Sequence, residues 1–87
     1  MDLHRLRTFR EVARELSFTR AARNLHYSQP AVTAQIKGLE EIVGSALFVR
    51  RGNRAVELTA AGALLCPYAD RILDLVDAAH VELGSRR

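Results

Sequence analysis

Ser17-Phe18-Thr19-Arg20-Ala21-Ala22-Arg23-Asn24-Leu25-His26-Tyr27-Ser28-Gln29-Pro30-Ala31-Val32-Thr33-Ala34-Gln35-Ile36-Lys37-Gly38-Leu39-Glu40 is the stretch whose reading decides the fold. It reads as a short helix, a tight turn and a second helix with two unlike faces. On the first helix Phe18, Ala21, Ala22 and Leu25 share one side, and the small Ala21-Ala22 pair lets a neighbouring helix approach closely. His26 and Tyr27 make the turn. Ser28 is a strong N-cap, and Pro30 is tolerated in the first turn because its missing N–H has no helical partner there. Tyr27 and Val32 occupy the two positions of a hydrophobic staple. In the second helix Val32, Ile36, Leu39 and Val43 form an apolar face, while Gln29, Thr33 and Lys37 recur one turn apart on another. A helix divided in this way can pack on a core and also enter a DNA groove.

Upstream, Leu3, Leu6, Phe9, Val12, Ala13 and Leu16 recur at steps of three and four. This predicts an amphipathic helix with Arg5, Arg7, Arg10, Glu11 and Arg14 mostly outward, started by Asp2. Ser17 or Thr19 caps the helix that follows. Downstream, Gly44 stops the third helix after Val43. Two apolar runs, Leu47-Phe48-Val49 and Ala55-Val56-Glu57-Leu58, flank Arg50-Arg51-Gly52-Asn53-Arg54. Two strands around a Gly-Asn turn make a β-hairpin with arginines at its tip, that is, a wing.

Thr59 caps a last long helix. In it Leu65, Ala69, Ile72, Val76, Ala79 and Leu83 follow heptad spacing, and Leu64, Tyr68 and Leu75 widen the stripe. Leu64 and Tyr68 are expected to pack back on the first helix. The remainder is too long for one small body to cover, which predicts a homodimer through this helix. Pro67 inside the helix removes one hydrogen bond, to the carbonyl of Ala63, and predicts a bend there. The expected fold is mainly α. A winged helix-turn-helix, three helices plus a β-hairpin wing, occupies residues 1–58, with the helix-turn-helix at 18–37 and the wing at 47–58. A long linker and dimerisation helix occupies residues 59–87.

The 87 residues are enough for one small domain, and an apolar content of 48% is enough for its core. Net charge is +3, unevenly placed. Residues 1–58 hold ten Lys and Arg against six Asp and Glu; residues 59–87 hold three against four. The basic excess therefore lies with the helix-turn-helix, as a phosphate-facing surface requires. Cys66 is the one cysteine, so an internal disulfide is excluded and a reducing cytoplasm fits. The chain shows no N-terminal signal pattern and no run of 18 apolar residues, which argues against secretion and membrane spanning.

Several ordered motifs resemble the LysR-type transcriptional regulators. They are Leu6-x-x-Phe9-x-x-Val12-Ala13, the run from Phe18-Thr19-x-Ala21-Ala22 through Ser28-Gln29-Pro30-Ala31-Val32-Thr33 to Leu39-Glu40, Gly44-x-x-Leu47-Phe48-x-Arg50, and Leu58-Thr59-x-Ala61-Gly62. The resemblance covers essentially the whole chain. It implies a DNA-binding fragment of a longer regulator whose effector-binding domain is absent from these residues. The family pattern places Gln29 and Pro30 at base edges, with Ser28, Thr33 and Lys37 along the DNA backbone. The wing residues Arg50, Arg51, Asn53 and Arg54 would lie in or beside the minor groove. The helix face read by itself adds Ala31, Thr33 and Ala34 to the base-facing set, and Thr19, Arg20 and Arg23 to the backbone set. Position 34 departs from the pattern. An arginine is frequent there, and Ala34 can touch a thymine methyl but cannot bind guanine bidentately.

The expected partners are a pseudo-palindromic double-stranded operator and a second copy of the chain, with a tetramer as a further expectation for the full-length protein. No metal or cofactor is expected: His4, His26 and His80 do not fall at ligand spacing with each other or with Cys66. No phosphate loop, carboxylate pair or Ser-His-Asp pattern points to catalysis. Two rivals stand beside DNA binding. One is a helical interaction module that uses the heptad seam. The other is RNA binding, which lacks a visible aromatic stacking platform because Phe18 and Phe48 sit at core spacing.

Overall fold

Each helix begins on a polar side chain that closes its first turn. Asp2 Oδ1 accepts from the Arg5 amide at 2.9 Å, Ser17 Oγ from Arg20 at 3.1 Å, Ser28 Oγ from Ala31 at 3.2 Å and Thr59 Oγ1 from Gly62 at 3.1 Å. These four caps start α1 (Leu3–Glu15), α2 (Phe18–Leu25), α3 (Gln29–Val43) and α4 (Ala60–Gly84). Between α3 and α4 the strands β1 (Phe48–Arg51) and β2 (Ala55–Leu58) pair antiparallel, with Phe48 opposite Leu58 and Arg51 opposite Ala55. This is a computed structural model, and it describes residues 1–52 and 55–84. Asn53 and Arg54 at the hairpin turn, both expected to touch DNA, lie outside the described residues.

The core is one cluster to which every helix contributes. Leu6, Phe9 and Val12 come from α1, Phe18, Ala21 and Ala22 from α2, Val32, Ile36 and Leu39 from α3, and Ala69 and Leu73 from α4. The hairpin side adds Leu47, Phe48 and Val56. Phe48 is wedged between two helices, its ring centroid 5.4 Å from Phe9 and 5.9 Å from Phe18. The buried Thr8 hydroxyl donates to Gln35 Oε1 and ties α1 to α3. The side-chain amide of Asn24 bridges Glu11 and Glu15 at 2.8 and 2.9 Å and ties α2 to α1.

Leu47 joins three elements. Its N–H donates to the Glu40 carboxylate at 2.7 Å, its side chain is buried, and its carbonyl accepts from the Thr59 N–H at 3.0 Å. Gly62 packs directly on that carbonyl. A Cβ at position 62 would overlap Leu47 O and stand 2.8 Å from Leu58 Cδ2. This contact sets the rotation of α4 about its axis and corrects the expected packing. Gly62, Ala69 and Leu73 turn inward and are buried, with Leu65, Cys66 and Ile72 at the flanks. Leu64 and Tyr68 do not reach α1; they are 68% and 54% exposed. Ala69 is in the chain's own core and is unavailable to a seam between copies. Burial, aided by Asp70, pushes the Cys66 thiol above its ordinary pKa, consistent with a small apolar packing role.

Two smaller expectations are also corrected. Leu3, Leu16 and Val43 are exposed, because α1 and α3 reach the edge of the core at those positions. Arg51 belongs to β1 rather than to the hairpin tip, whereas Arg50 lies along the strand, a place its position before the tip also allows. The helix α4 runs on through Pro67, which removes one bond to the carbonyl of the exposed residue Ala63. Among the described residues no helix is long and apolar enough to cross a membrane.

Two mutations test this frame. Gly62→Ala is expected to lower stability by about 1–3 kcal/mol in urea unfolding, since a backbone carbonyl must move to admit the methyl group. An unchanged midpoint would show that α4 does not lean on Leu47. Leu16 ends α1 in the left-handed region at φ 50°, a conformation that costs a β-carbon-bearing residue about 1–2 kcal/mol. After the entropic penalty of glycine, Leu16→Gly is expected to gain about 0.5–1 kcal/mol. A lower melting temperature would count against strain at that cap.

Candidate nucleic-acid interface

The caps and the core together decide which residues of α3 remain outside. With Val32, Ile36 and Leu39 buried and Gln35 held by Thr8, the opposite face is left to solvent. Gln29, Pro30, Thr33, Ala34 and Lys37 line a shallow depression of about 400 Å³ along it. Ala31, expected among the base-facing residues, is half-buried and does not line this depression. The outer face is thus narrower than expected: five residues, of which Gln29 and Lys37 can make long polar contacts.

A second depression of about 400 Å³ adjoins the first at Gln29. Its polar lining comes from Ser17, Thr19 and Arg20 at the start of α2, Gln29 of α3 and Arg50 of β1. Strand alternation explains why Arg50 is there. Phe48, Arg50 and Val56 share one face of the hairpin, and Phe48 and Val56 are buried on it. Arg50 therefore projects toward α2, where its guanidinium carbon lies 5.1 Å from the centroid of the Phe18 ring. Arg51, on the other face, pairs with Glu57 at 3.1 Å, so part of its charge is already answered within the hairpin.

The charge of the combined surface is one-sided. Arg20, Arg50 and Lys37 line the two depressions, and no acidic side chain does. Arg23 is exposed on α2 but lines neither. Ser28 is exposed, with its oxygen engaged in the cap. Two site features were not anticipated from sequence. One is the Phe18 ring as a platform for Arg50, which the hairpin's alternation could have revealed. The other is a hydrogen bond from Thr19 Oγ1 to Gln29 Oε1 at 3.3 Å, which joins the two helices at the meeting point of the depressions.

Among the described residues no three His, Cys, Asp or Glu side chains come together to hold a metal ion. The arrangement suits docking: a polar helix face with flanking cations from Gln29 to Lys37, beyond which Glu40 and Glu41 mark the acidic end of α3.

Comparison with known proteins points the same way. Over 79 residues the chain is 56% identical to the HTH-type transcriptional regulator BudR of Klebsiella aerogenes, covering 91% of this chain and 54% of that protein. Over 87 residues it is 46% identical to the Hca operon transcriptional activator HcaR of Escherichia coli K12, covering all of this chain and 28% of that protein. The chain thus spans about half of one relative and under a third of the other. Among solved structures, the fold superposes on the BenM DNA-binding domain in complex with catB site 1 DNA. That match has a TM-score of 0.86 and 41% identity, and covers 99% of this chain and 94% of that one. It also superposes on the CbnR DNA-binding domain–DNA complex with a TM-score of 0.88 and 36% identity over the whole of both chains. Residues 3–63 match the family described as bacterial regulatory helix-turn-helix protein, lysR family. Four helices, an antiparallel hairpin and this match over most of the chain agree: the protein belongs to the LysR family of bacterial helix-turn-helix regulators.

Proposed function

We propose that this chain binds specific double-stranded DNA as the DNA-binding part of a dimeric transcriptional regulator. The observation that carries the reading is the outer face of α3 from Gln29 to Lys37, whose depression has no acidic lining and which meets the arginine-bearing hairpin side at Gln29. The helix enters the major groove. Gln29 bonds to base edges, Pro30 and Ala34 pack on apolar base surface such as a thymine methyl, and Thr33 and Lys37 follow along the helix. Arg20, Arg23 and Ser28 face phosphate, and Arg50, Arg51, Asn53 and Arg54 bring the hairpin beside the groove. Cations at phosphates displace counterions, so affinity falls steeply as salt rises. The solved DNA complexes of the BenM and CbnR domains support this docking. Residues 1–58 act as the DNA-binding unit and residues 59–87 as the linker and dimerisation helix.

Dimerisation runs through α4, along a stripe that keeps Val76, Ala79 and Leu83 of the expected seam and replaces its buried Ala69 by the exposed flank. Leu64, Tyr68 and Leu75 fall on one side of the helix and are 54–68% exposed. Beyond Leu73 no described residue of α4 is buried, so about three turns project past the core. Val76, Ala79 and Leu83 continue the apolar surface along this projecting part, and an apolar hollow of about 260 Å³ lies at its base between Val43, Leu47, Leu64 and Tyr68. A second copy packed antiparallel covers both. It also sets two α3 helices on one face of the duplex, which requires a pseudo-palindromic site.

Gln29→Ala is expected to lose about 1–3 kcal/mol of discrimination at one base pair, read by titrating matched and singly mismatched duplexes. Equal affinities for every duplex before and after the mutation would contradict base reading by Gln29. Leu75→Glu places a charge on the exposed face without touching the core and is expected to give monomers in sedimentation. A variant that still sediments as a dimer would exclude this face as the interface.

A further inference from the structure

Gln29 carries an acceptor oxygen and a donor nitrogen at the end of a soft, two-fold torsion. A glutamine free at a surface presents them in either order. To a base edge the order matters: adenine shows a donor beside an acceptor in the major groove, and guanine shows two acceptors. A residue that fixes the order fixes the pattern that is read.

Thr19 is placed to bias this order: a hydroxyl can also accept from an amide nitrogen, but in this structure it donates to the amide oxygen. Its hydroxyl donates to Gln29 Oε1 at 3.3 Å across the gap between α2 and α3. The capping of α2 is done by Ser17, whose Oγ accepts from Arg20, so the Thr19 hydroxyl is not needed there. Threonine in mid-helix often donates to a carbonyl three or four residues back. For Thr19 those residues are Leu16 and Glu15, which precede α2. The branched side chain has few rotamers, so the hydroxyl is held in place. The same device recurs inside the protein, where Thr8 of α1 donates to Oε1 of Gln35, also on α3. That bond is partly buried and ties α1 to α3. The Thr19 bond is exposed, where a neutral hydrogen bond contributes little stability, and what it changes is the orientation of the amide.

We propose that Thr19 is a positioning residue for Gln29: it holds the amide oxygen toward α2, turns the amide hydrogens toward the DNA, and so sets base preference at one position. This role replaces the phosphate contact assigned to Thr19 above and rests on the reading of α3 as the base-facing helix. With the oxygen anchored, the outward amide hydrogens address the N7 acceptor of a purine. The second lone pair of the oxygen stays available to the amino group of adenine.

The test uses the 87-residue chain and a duplex selected by it from a random pool. All single-base-pair variants of that duplex are titrated by fluorescence anisotropy at two salt concentrations, against wild type, T19V, T19A, T19S, Q29A and Q29A/T19V. T19V and T19A are expected to narrow the preference at the base pair identified by Q29A about fivefold, the worth of one ordinary hydrogen bond. T19S restores it. In the Q29A background T19V has no further effect on preference, because the two residues act as one unit. A loss equal for every duplex, with a shallower salt dependence, would make Thr19 a phosphate contact and overturn the proposal. So would a change of preference that persists without Gln29. If Q29A alone leaves every preference intact, base reading by Gln29 fails first, and the role of Thr19 falls with it.

Discussion

Leu47 is the residue on which the arrangement of the rest depends. Its amide is held by Glu40 at the end of α3, its side chain is in the core, and its carbonyl receives both the Thr59 amide and the close approach of Gly62. Through this one residue the orientation of α3, the root of the hairpin and the rotation of α4 are made mutually dependent. Gly62 lies in the first turn of α4, and there the absent β-carbon is what lets two backbones meet. Moving α4 would move the root of the hairpin, and with it Phe48, the ring packed against both α1 and α2.

The functional surface follows from that frame. Because Phe48 is drawn into the core, Arg50 two residues later lies on the same side of the strand and comes to rest over Phe18 at the start of α2. The hairpin is thereby brought to the end of α3 that carries Gln29, and the two depressions become one continuous surface with cations and no acids along it. The long helix has the complementary design. Its inner stripe is used up within the chain by Leu73, and its outer stripe continues apolar into solvent. One end of the molecule is shaped for a polyanion and the other for an apolar neighbour.

Much of this was legible in the sequence, and the parts that were not share a cause. Asp2, Ser17, Ser28 and Thr59 could be read as caps because capping is local chemistry within four residues. The two faces of α3 and the hairpin at residues 47–58 followed from helical and strand periodicity. The rotation of α4 did not. Its apolar residues are spread so widely that several heptad registers fit, and the choice among them is made by Gly62 against a carbonyl fifteen residues earlier. Ala69 fits the heptad spacing and is a core residue for that reason. The placement of Arg50 was within reach, since alternation puts it on the side of Phe48, but the Phe18 beneath it depends on tertiary packing. Leu16 and Val43 matched the helical period and still lie outside, because period alone does not say where the core ends.

The central claim is that α3 and the hairpin together form the surface that meets DNA. Backbone amide chemical shifts recorded while a selected duplex is added to the isotope-labelled chain test it most directly. Changes concentrated from Gln29 to Lys37, at Thr19 and Arg20, and at Arg50 and Arg51 are predicted, with Glu11 to Glu15 and the projecting end of α4 unmoved. Changes confined to the apolar face of Leu64, Tyr68 and Leu75, with α3 silent, would contradict it.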